Sequence, residues 1–133
     1  MQFSTILLTL VSAATSALAV TAAYDTTYDT SSLSTLVLAC SDGVNGLYTK
    51  GYQTLGSVPG FPNVGAVETV AGWNSANCGK CYNVTYGSTT IKVTAVDHAA
   101  SGFVLSLAAL NTLTGGQGVA LGRVDVTYTE TAC

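Results

Sequence analysis

The sequence predicts one mainly β domain with few short helices, folded as a compact β-barrel. Several short runs are rich in β-branched and aromatic residues, and glycine-rich segments connect them. Only one run after the first 40 residues has clear helical periodicity. Many short strands with tight connections and little helix are typical of small β-barrels.

An apolar segment, residues 1–19, opens the chain. Its apolar run at residues 6–11 is followed by small residues that end in Ala17-Leu18-Ala19, the A-x-A pattern after which signal peptidase cleaves. The run is too short to span a bilayer, and no other stretch approaches the ~20 apolar residues that a spanning helix needs. We therefore expect a signal peptide over 1–19 and a secreted single domain over 20–133. The alternative for this segment is an apolar first strand.

Residues 24–65 give weaker indications of secondary structure. A Tyr-Asp pair is repeated within residues 24–29, and the Thr and Ser residues around it favour an extended or turn segment. The apolar run 33–40 fits either a buried strand or a short helix, because periodicity does not separate the two. The glycines and two prolines of residues 41–65 predict turns and long surface loops.

Residues 81–96 carry the clearest strand pattern. Two β-rich runs, 81–86 and 90–96, are joined by Gly-Ser-Thr. Apolar and polar residues alternate in both runs, so that Val84 shares a face with Tyr82 and opposes Asn83. The pattern predicts a β-hairpin.

Two further elements follow this hairpin. The run 103–113 has apolar residues at helical spacing and is followed by two glycines, which predicts a short helix that ends there. The run 119–129 alternates Val124 and Val126 with polar residues, which predicts a final strand.

Charged residues are unusually rare in this chain. They make up 8% of it, and the formal net charge is −3. Nucleic-acid binding requires a basic stripe, and adhesion to anionic membranes requires basic residues too, so both functions are disfavoured. A surface made mainly of Ser, Thr, Asn, Gly and Tyr suits neutral polymers such as polysaccharides.

The cysteine pattern predicts disulfides. An even number of cysteines in a secreted protein is typical of disulfide bonding. Four cysteines allow three pairings, and the sequence leaves them open: the residues are Cys40, Cys78, Cys81 and Cys133. A zinc site needs four clustered ligands, and beyond the single C-x-x-C neither the cysteines nor His98 has ligand spacing, so we expect no metal. A strand-like run after the C-x-x-C also disfavours a redox role.

Asp97 is the leading candidate for a functional carboxylate. It ends an apolar strand, at a position where barrel sites are often built; the alternative is that it caps the following loop. A glycosidase needs a second carboxyl group across its cleft, and the next acidic residue along the chain is Asp125. His98 fits a hydrogen-bonded loop residue better than a base. We therefore expect neither hydrolytic activity nor a cofactor.

Aromatic and amide side chains are candidates for glycan contact. Trp73 and the seven tyrosines could stack on the apolar face of a sugar ring, although aromatic residues more often pack in the core.

Asn83-Val84-Thr85 is an N-glycosylation sequon, whose occupancy the sequence leaves open.

Six motifs, in order along the chain and with four matching cysteines, resemble the cerato-platanin family of small secreted fungal proteins. They are YDTTYD, CSDGVNGL, GWNSANCGKC, VDHAASGF, ALNTLTGGQ and ALGRVD. The resemblance covers essentially all of residues 20–133. It implies a double-ψ β-barrel like the first domain of expansins, with Cys40 bonded to Cys78 and Cys81 bonded to Cys133.

The resemblance also implies a function. Members of the family are described as binding chitin and N-acetylglucosamine oligomers in a shallow groove and as eliciting plant defence, which implies a protein of the fungal cell wall and extracellular space with a possible plant surface receptor. Asp97 matches an Asp that expansins share, whereas the second acid of expansins has no counterpart here. The implied ligand-binding residues are Asp97, Asp42, Asn45, Tyr24, Asp25, Asn74 and Gln117.

Two alternative functions stay open. One is expansin-like loosening of cellulose without hydrolysis. The other is assembly of a film at interfaces by a protein that is mostly monomeric and self-assembles with concentration. The 48% of hydrophobic residues is compatible with the second alternative.

Overall fold

The computed structural model describes residues 16–133 of the protein. Residues 1–15 of the predicted signal peptide lie outside this range. The first strand, β1 (Leu18–Tyr24), includes the last two residues before the predicted cleavage site. The apolar segment therefore ends inside a strand, and cleavage after Ala19 stays a prediction.

Within residues 16–133, six strands close into one barrel, in the order β1-β5-β2-β4-β3-β6. The strands after β1 are β2 (Val64–Val67), β3 (Cys81–Tyr86), β4 (Thr89–His98), β5 (Phe103–Leu105) and β6 (Arg123–Thr131). β1 runs parallel to β5 and β2 runs parallel to β4, whereas the other four neighbouring pairs are antiparallel. This closed, mixed barrel confirms the predicted fold class.

Short helices cover the barrel. α1 (Leu107–Thr114) and α2 (Gly118–Leu121) connect β5 to β6. Three single 3-10 turns lie in the earlier loops, at Thr26–Asp29, Thr35–Val37 and Leu55–Ser57. None of the helices within residues 16–133 has the length and apolar character required to cross a bilayer.

The predicted hairpin is confirmed, and so is the final strand from residue 123 onward. β3 and β4 pair from Cys81 to Tyr86 across a two-residue turn. In β6 the side chains of Val124, Val126 and Tyr128 are buried while those between them are exposed. Tyr128 packs edge-to-face against Tyr82 and Phe103, with ring centroids 4.9 to 6.0 Å apart. The alternation therefore marked the side of each strand that forms the core.

Two disulfides join distant parts of the chain. Cys40 is bonded to Cys78, and Cys81 is bonded to Cys133. The two central cysteines are close in sequence but connect to opposite parts of the chain. Closing loops of 38 and 52 residues constrains the unfolded chain by about 4 kcal/mol each in the loop-entropy model.

The prediction of one helix over residues 103–113 was wrong at its beginning. Residues 103–105 form β5, which pairs with β1 and β2, and the helix begins after Ser106. The Ser106 hydroxyl accepts a hydrogen bond from the Ala109 backbone N–H at 3.0 Å, which is N-cap geometry. Barrel pairing therefore overrode the helical periodicity. The end of the helix was predicted correctly, because Gly115 forms a left-handed C-cap.

The run 33–40 forms neither the buried strand nor the short helix that its sequence allowed. It contains one 3-10 turn at Thr35–Val37, and the side chains of Leu36 and Val37 are exposed. The Thr35 backbone N–H donates to the Gln53 carbonyl at 3.0 Å, outside any ladder of strands. Likewise, the first part of the run 119–129 belongs to α2 rather than to the final strand.

Candidate functional site

Asp97, the second-to-last residue of β4, is the hub of a hydrogen-bond network. Its Oδ2 accepts from the Tyr28 hydroxyl at 2.7 Å. Its Oδ1 accepts from the backbone N–H of Ala39 at 2.8 Å and of His98 at 2.9 Å. This carboxylate therefore ties the barrel to the turn Thr26–Asp29 and to the segment before Cys40.

Two aspartates organise the turn that carries Tyr28. Asp25 precedes the turn, and its Oδ1 accepts from the Thr27 N–H at 2.8 Å. Asp29 accepts from the first two N–H groups of α1, at 2.8 and 2.9 Å, where a negative charge is favourable. Burial, followed by the bond to Asp97, raises the pKa of the Tyr28 hydroxyl, so this group stays a neutral donor at ordinary pH.

A second cluster of polar side chains surrounds Trp73, the only tryptophan of the sequence. The Trp73 indole Nε1–H donates to Asp42 Oδ1 at 2.6 Å, yet 64% of the Trp73 residue surface remains exposed. Asn45 and Asn74 are joined twice: Asn74 Oδ1 accepts from the Asn45 N–H at 2.9 Å, and Asn45 Nδ2 donates to the Asn74 carbonyl at 3.0 Å. We call Asp42, Gly43, Asn45, Trp73 and Asn74 the tryptophan cluster.

Backbone conformation explains why this cluster forms. Gly43 has a φ of +81°, and a Cβ there would lie 2.5 Å from Asn74 Oδ1 and 3.1 Å from Trp73 Cζ2. Only glycine allows this close approach of the two loops. Asn74 itself has a φ of +58°, a conformation that asparagine tolerates better than most residues. The aromatic face is thus held by a rigid loop pair.

The structure brings most of the predicted ligand-binding residues together. Asp42, Asn45 and Asn74 belong to the tryptophan cluster, and Ala39, which binds Asp97, precedes Asp42 by only three residues. Three residues span at most about 11 Å, so the cluster and the Asp97 network are neighbours.

Tyr24 is the last residue of β1, and Asp25 follows it directly before the turn that carries Tyr28. Tyr24 is half-buried and packs against the core. The Asp25 carbonyl accepts from the Tyr28 backbone N–H at 3.1 Å, so Asp25 lies beside the residue whose hydroxyl binds Asp97.

Gln117 makes its hydrogen bonds within the segment that contains the end of α1 and α2. It is exposed at the start of α2, where its N–H donates to Thr114 Oγ1 at 3.2 Å. Its carbonyl accepts from the Leu121 N–H at 2.9 Å. No hydrogen bond within residues 16–133 joins it to the other predicted ligand-binding residues.

The remaining titratable groups near the barrel rim are engaged elsewhere. Glu68 accepts from the Tyr128 hydroxyl and the Gly102 N–H, both at 2.8 Å. His98 Nδ1 donates to the Val70 carbonyl at 2.6 Å, in agreement with a hydrogen-bonded role. Across residues 16–133, no three His, Cys, Asp or Glu side chains gather as they would around a metal ion.

Sequence reasoning missed Tyr28 and Gly43. Tyr28 is the second tyrosine of the Tyr-Asp repeat, which was the available signal, but only the fold shows that it reaches Asp97 across 69 residues of sequence. The sequon residue Asn83 lies half-buried on the outer face of β3, between the cross-strand neighbours Lys92 and Thr129.

Comparison with known proteins identifies the family. The cerato-platanin family model matches residues 20–133, so the chain belongs to the cerato-platanin family. Among curated relatives, the heat-stable 19 kDa antigen of Coccidioides immitis is 52% identical over 109 residues, which cover 82% of this chain and 75% of the antigen.

Solved structures agree with this assignment. Cerato-platanin 3 of M. perniciosa is 50% identical and superposes with a TM-score of 0.82, over 86% of this chain and 94% of that one. The solution structure of the fungal elicitor cerato-platanin is 41% identical, with a TM-score of 0.76 over 84% and 91% of the two chains.

Proposed function

We propose that the protein is a secreted, non-catalytic glycan-binding protein of the fungal cell wall that takes chitin-type N-acetylglucosamine oligomers and elicits plant defence. The observation that carries the proposal is the tryptophan cluster. It combines an exposed aromatic face with fixed amide and carboxylate groups, the two kinds of group that a pyranose ring with hydroxyl and acetamido substituents can contact.

The hydrogen bonds of the cluster support binding to a preorganised surface. The Trp73 indole is anchored by Asp42, so little side-chain freedom remains to be lost on stacking. The carboxylate and amide oxygens retain lone pairs for sugar hydroxyl groups. The low net charge of −3 is compatible with a neutral glycan.

The surroundings of Asp97 support a role in shaping the binding surface rather than catalysis. Its two oxygens already accept three hydrogen bonds from the protein. General acid-base hydrolysis also needs a second carboxyl group facing the first. The next acidic residue along the chain after Asp97 is Asp125, which is exposed on β6. We therefore assign Asp97 to holding the surface in shape.

The elicitor role rests on the family relationship. One solved relative, 41% identical, is described as a fungal elicitor. A plant surface receptor is the partner that this activity would require.

An NMR titration tests the glycan proposal. Disulfide-intact protein is titrated with N-acetylglucosamine tetramer and, in parallel, with cellotetraose. We expect saturable shifts at Asp42, Asn45 and the Trp73 indole, and about tenfold weaker binding in Trp73→Ala. Val119→Ala is the matched control, because Val119 is also 64% exposed but lies on α2.

Two outcomes would contradict the proposal. Absence of saturable shifts with the chitin tetramer would remove the glycan function. Equal weakening in Trp73→Ala and Val119→Ala would place binding outside the tryptophan cluster. Tighter binding of cellotetraose would favour the cellulose-loosening alternative, which further predicts fragmentation of cellulose without release of soluble sugar.

Exposed apolar side chains favour a second function, film formation at interfaces. Leu36 and Val37 project from one single-turn helix, and Val119 and Leu121 project from α2, each at least 46% exposed. Such surface is stabilised by contact with air or with a second apolar surface. Val37→Ser together with Val119→Ser should then slow the fall of surface tension, whereas Trp73→Ala should weaken glycan binding selectively.

A further inference from the structure

A partly enclosed pocket lies beside the second disulfide, and its lining residues differ from those of the tryptophan cluster. Its volume is about 230 Å³, and it is lined by four residues with largely apolar side chains, one lysine, one threonine, one glycine and one cysteine of the disulfide: Leu47, Lys50, Tyr52, Val58, Pro59, Gly79, Thr94 and Cys133. None of these residues belongs to the tryptophan cluster. All of them follow the predicted cleavage site, so the pocket would persist after processing.

The wall of this pocket is apolar and well supported. Leu47 and Val58 are each only 2% exposed, so the wall is part of the packed core. The Thr94 hydroxyl is already committed, because it donates to the Pro59 carbonyl at 2.9 Å. No amide or carboxylate side chain lines the cavity. A sugar, which needs several polar partners, would therefore be poorly satisfied here.

Lys50 stands at the boundary between this pocket and an open one. The open pocket, of about 610 Å³, shares Lys50, Gly79 and Cys133 with the partly enclosed pocket and is also lined by Lys80 and Glu130. The Lys50 ammonium lies over Gly79, since a Cβ built there would be 3.4 Å from Nζ. Within the described residues the ion pair is Lys80 with Glu130, at 3.1 Å, and Lys50 has no carboxylate partner.

We propose that this pocket binds a small amphiphile with an apolar ring or short chain and a carboxylate head. The apolar part fills the partly enclosed pocket, and the carboxylate contacts the Lys50 ammonium at its mouth. The pocket volume suits the apolar part of such a ligand. A cavity of about 150 Å³ engineered in another protein holds benzene, and 230 Å³ leaves room for a second fused ring.

The charge of Lys50 selects the ligand class. A single ammonium at the rim of a low-polarity wall attracts an anion more strongly than the same group in open water does. The neutral polysaccharide chains expected at the tryptophan cluster have no such anion. The two surfaces are therefore expected to bind independently.

The test uses 2-naphthoate and its uncharged analogue 2-naphthalenemethanol, titrated into the disulfide-intact protein by NMR. We expect saturable shifts at Leu47, Tyr52 and Thr94 with both probes, and tighter binding of the naphthoate. Lys50→Gln should weaken the naphthoate about fivefold and leave the alcohol unchanged. Lys92→Gln is the matched control, because Lys92 is an exposed lysine on β4 outside both pockets.

Three results would overturn the proposal. They are no saturable shifts around the pocket, equal affinity of the two probes, or equal weakening by Lys50→Gln and Lys92→Gln. Both lysines are exposed, so the variants should stay folded, and their amide spectra verify this. Because the probes contain no sugar, failure here leaves the glycan proposal untouched.

Discussion

Replacing Asp97 by alanine removes the acceptor on which Tyr28, Ala39 and His98 converge. The His98 N–H is next to Asp97 in sequence and the bond is exposed, so water can replace the carboxylate there. The bonds to Tyr28 and Ala39 are partly buried and join separate segments. At about 1.5 kcal/mol for each charge-assisted bond, the loss in unfolding free energy is about 3 kcal/mol.

Two milder variants divide this loss. Asp97→Asn keeps one oxygen for the Ala39 N–H, and the Tyr28 hydroxyl can rotate to accept from the new amide, so we expect a cost of about 1 kcal/mol. Tyr28→Phe removes only one bond and should cost about 1.5 kcal/mol. Asp125→Ala is the control, because Asp125 is exposed on β6, and it should stay within about 0.5 kcal/mol of the wild type.

Urea unfolding of the oxidised protein measures these differences. With a slope of about 1.5 kcal/mol per M, the midpoint of Asp97→Ala should lie about 2 M below that of the wild type. If Asp97→Ala and Asp125→Ala unfolded at the same urea concentration, the network would contribute nothing in solution. A cost of Asp97→Asn as large as that of Asp97→Ala would show instead that the negative charge, rather than the acceptor geometry, stabilises the site.

Three further predictions concern the loops, pH and the disulfides. Gly43→Ala should destabilise the protein by about 2 kcal/mol and abolish the glycan-induced shifts, because the added Cβ would clash with the tryptophan cluster. The control is Gly51→Ala, since Gly51 also has a positive φ, +97°, but has open space around it. It should show only the backbone cost of about 1 kcal/mol and keep glycan binding. Because the pKa of Tyr28 is raised in the folded protein, its contribution to the unfolding free energy is complete below pH about 10, the pKa of tyrosine in the unfolded chain. Above that pH the contribution is lost, since the unfolded chain releases the Tyr28 proton first. From pH 8 to 11 the urea midpoint should therefore fall less steeply in Tyr28→Phe than in the wild type. Replacing Cys81 and Cys133 by serine should lower the unfolding free energy by about 4 kcal/mol, and an unchanged urea midpoint would contradict the loop-closure account.

The local sequence pattern was sufficient to predict the hairpin, the final strand from Val124 onward and the end of α1. In each case the signal lies within a few residues: alternation at Tyr82 and Val84, alternation from Val124 onward, and glycine at position 115. These features depend on burial of one strand face or on a left-handed backbone, so neighbouring residues determine them.

The strands β2 and β5 could not be predicted in this way. Each has only three or four residues, and β5 lies directly before a helix with which it shares an apolar pattern. Their strand conformation comes from pairing with β1 and β4, which are distant in sequence. Short elements are determined by such partners because they have too few residues for a pattern of their own.

The sequence by itself determined the composition of the site: a low charge, one tryptophan, four cysteines and an aspartate at the end of an apolar strand. Only the tertiary structure decided what these groups do. It brought Tyr28 to Asp97 across 69 residues and Trp73 to Asp42 across 31 residues. Hydrogen bonds act over about 3 Å, so their partners depend on how the barrel closes and not on how the residues are spaced along the chain.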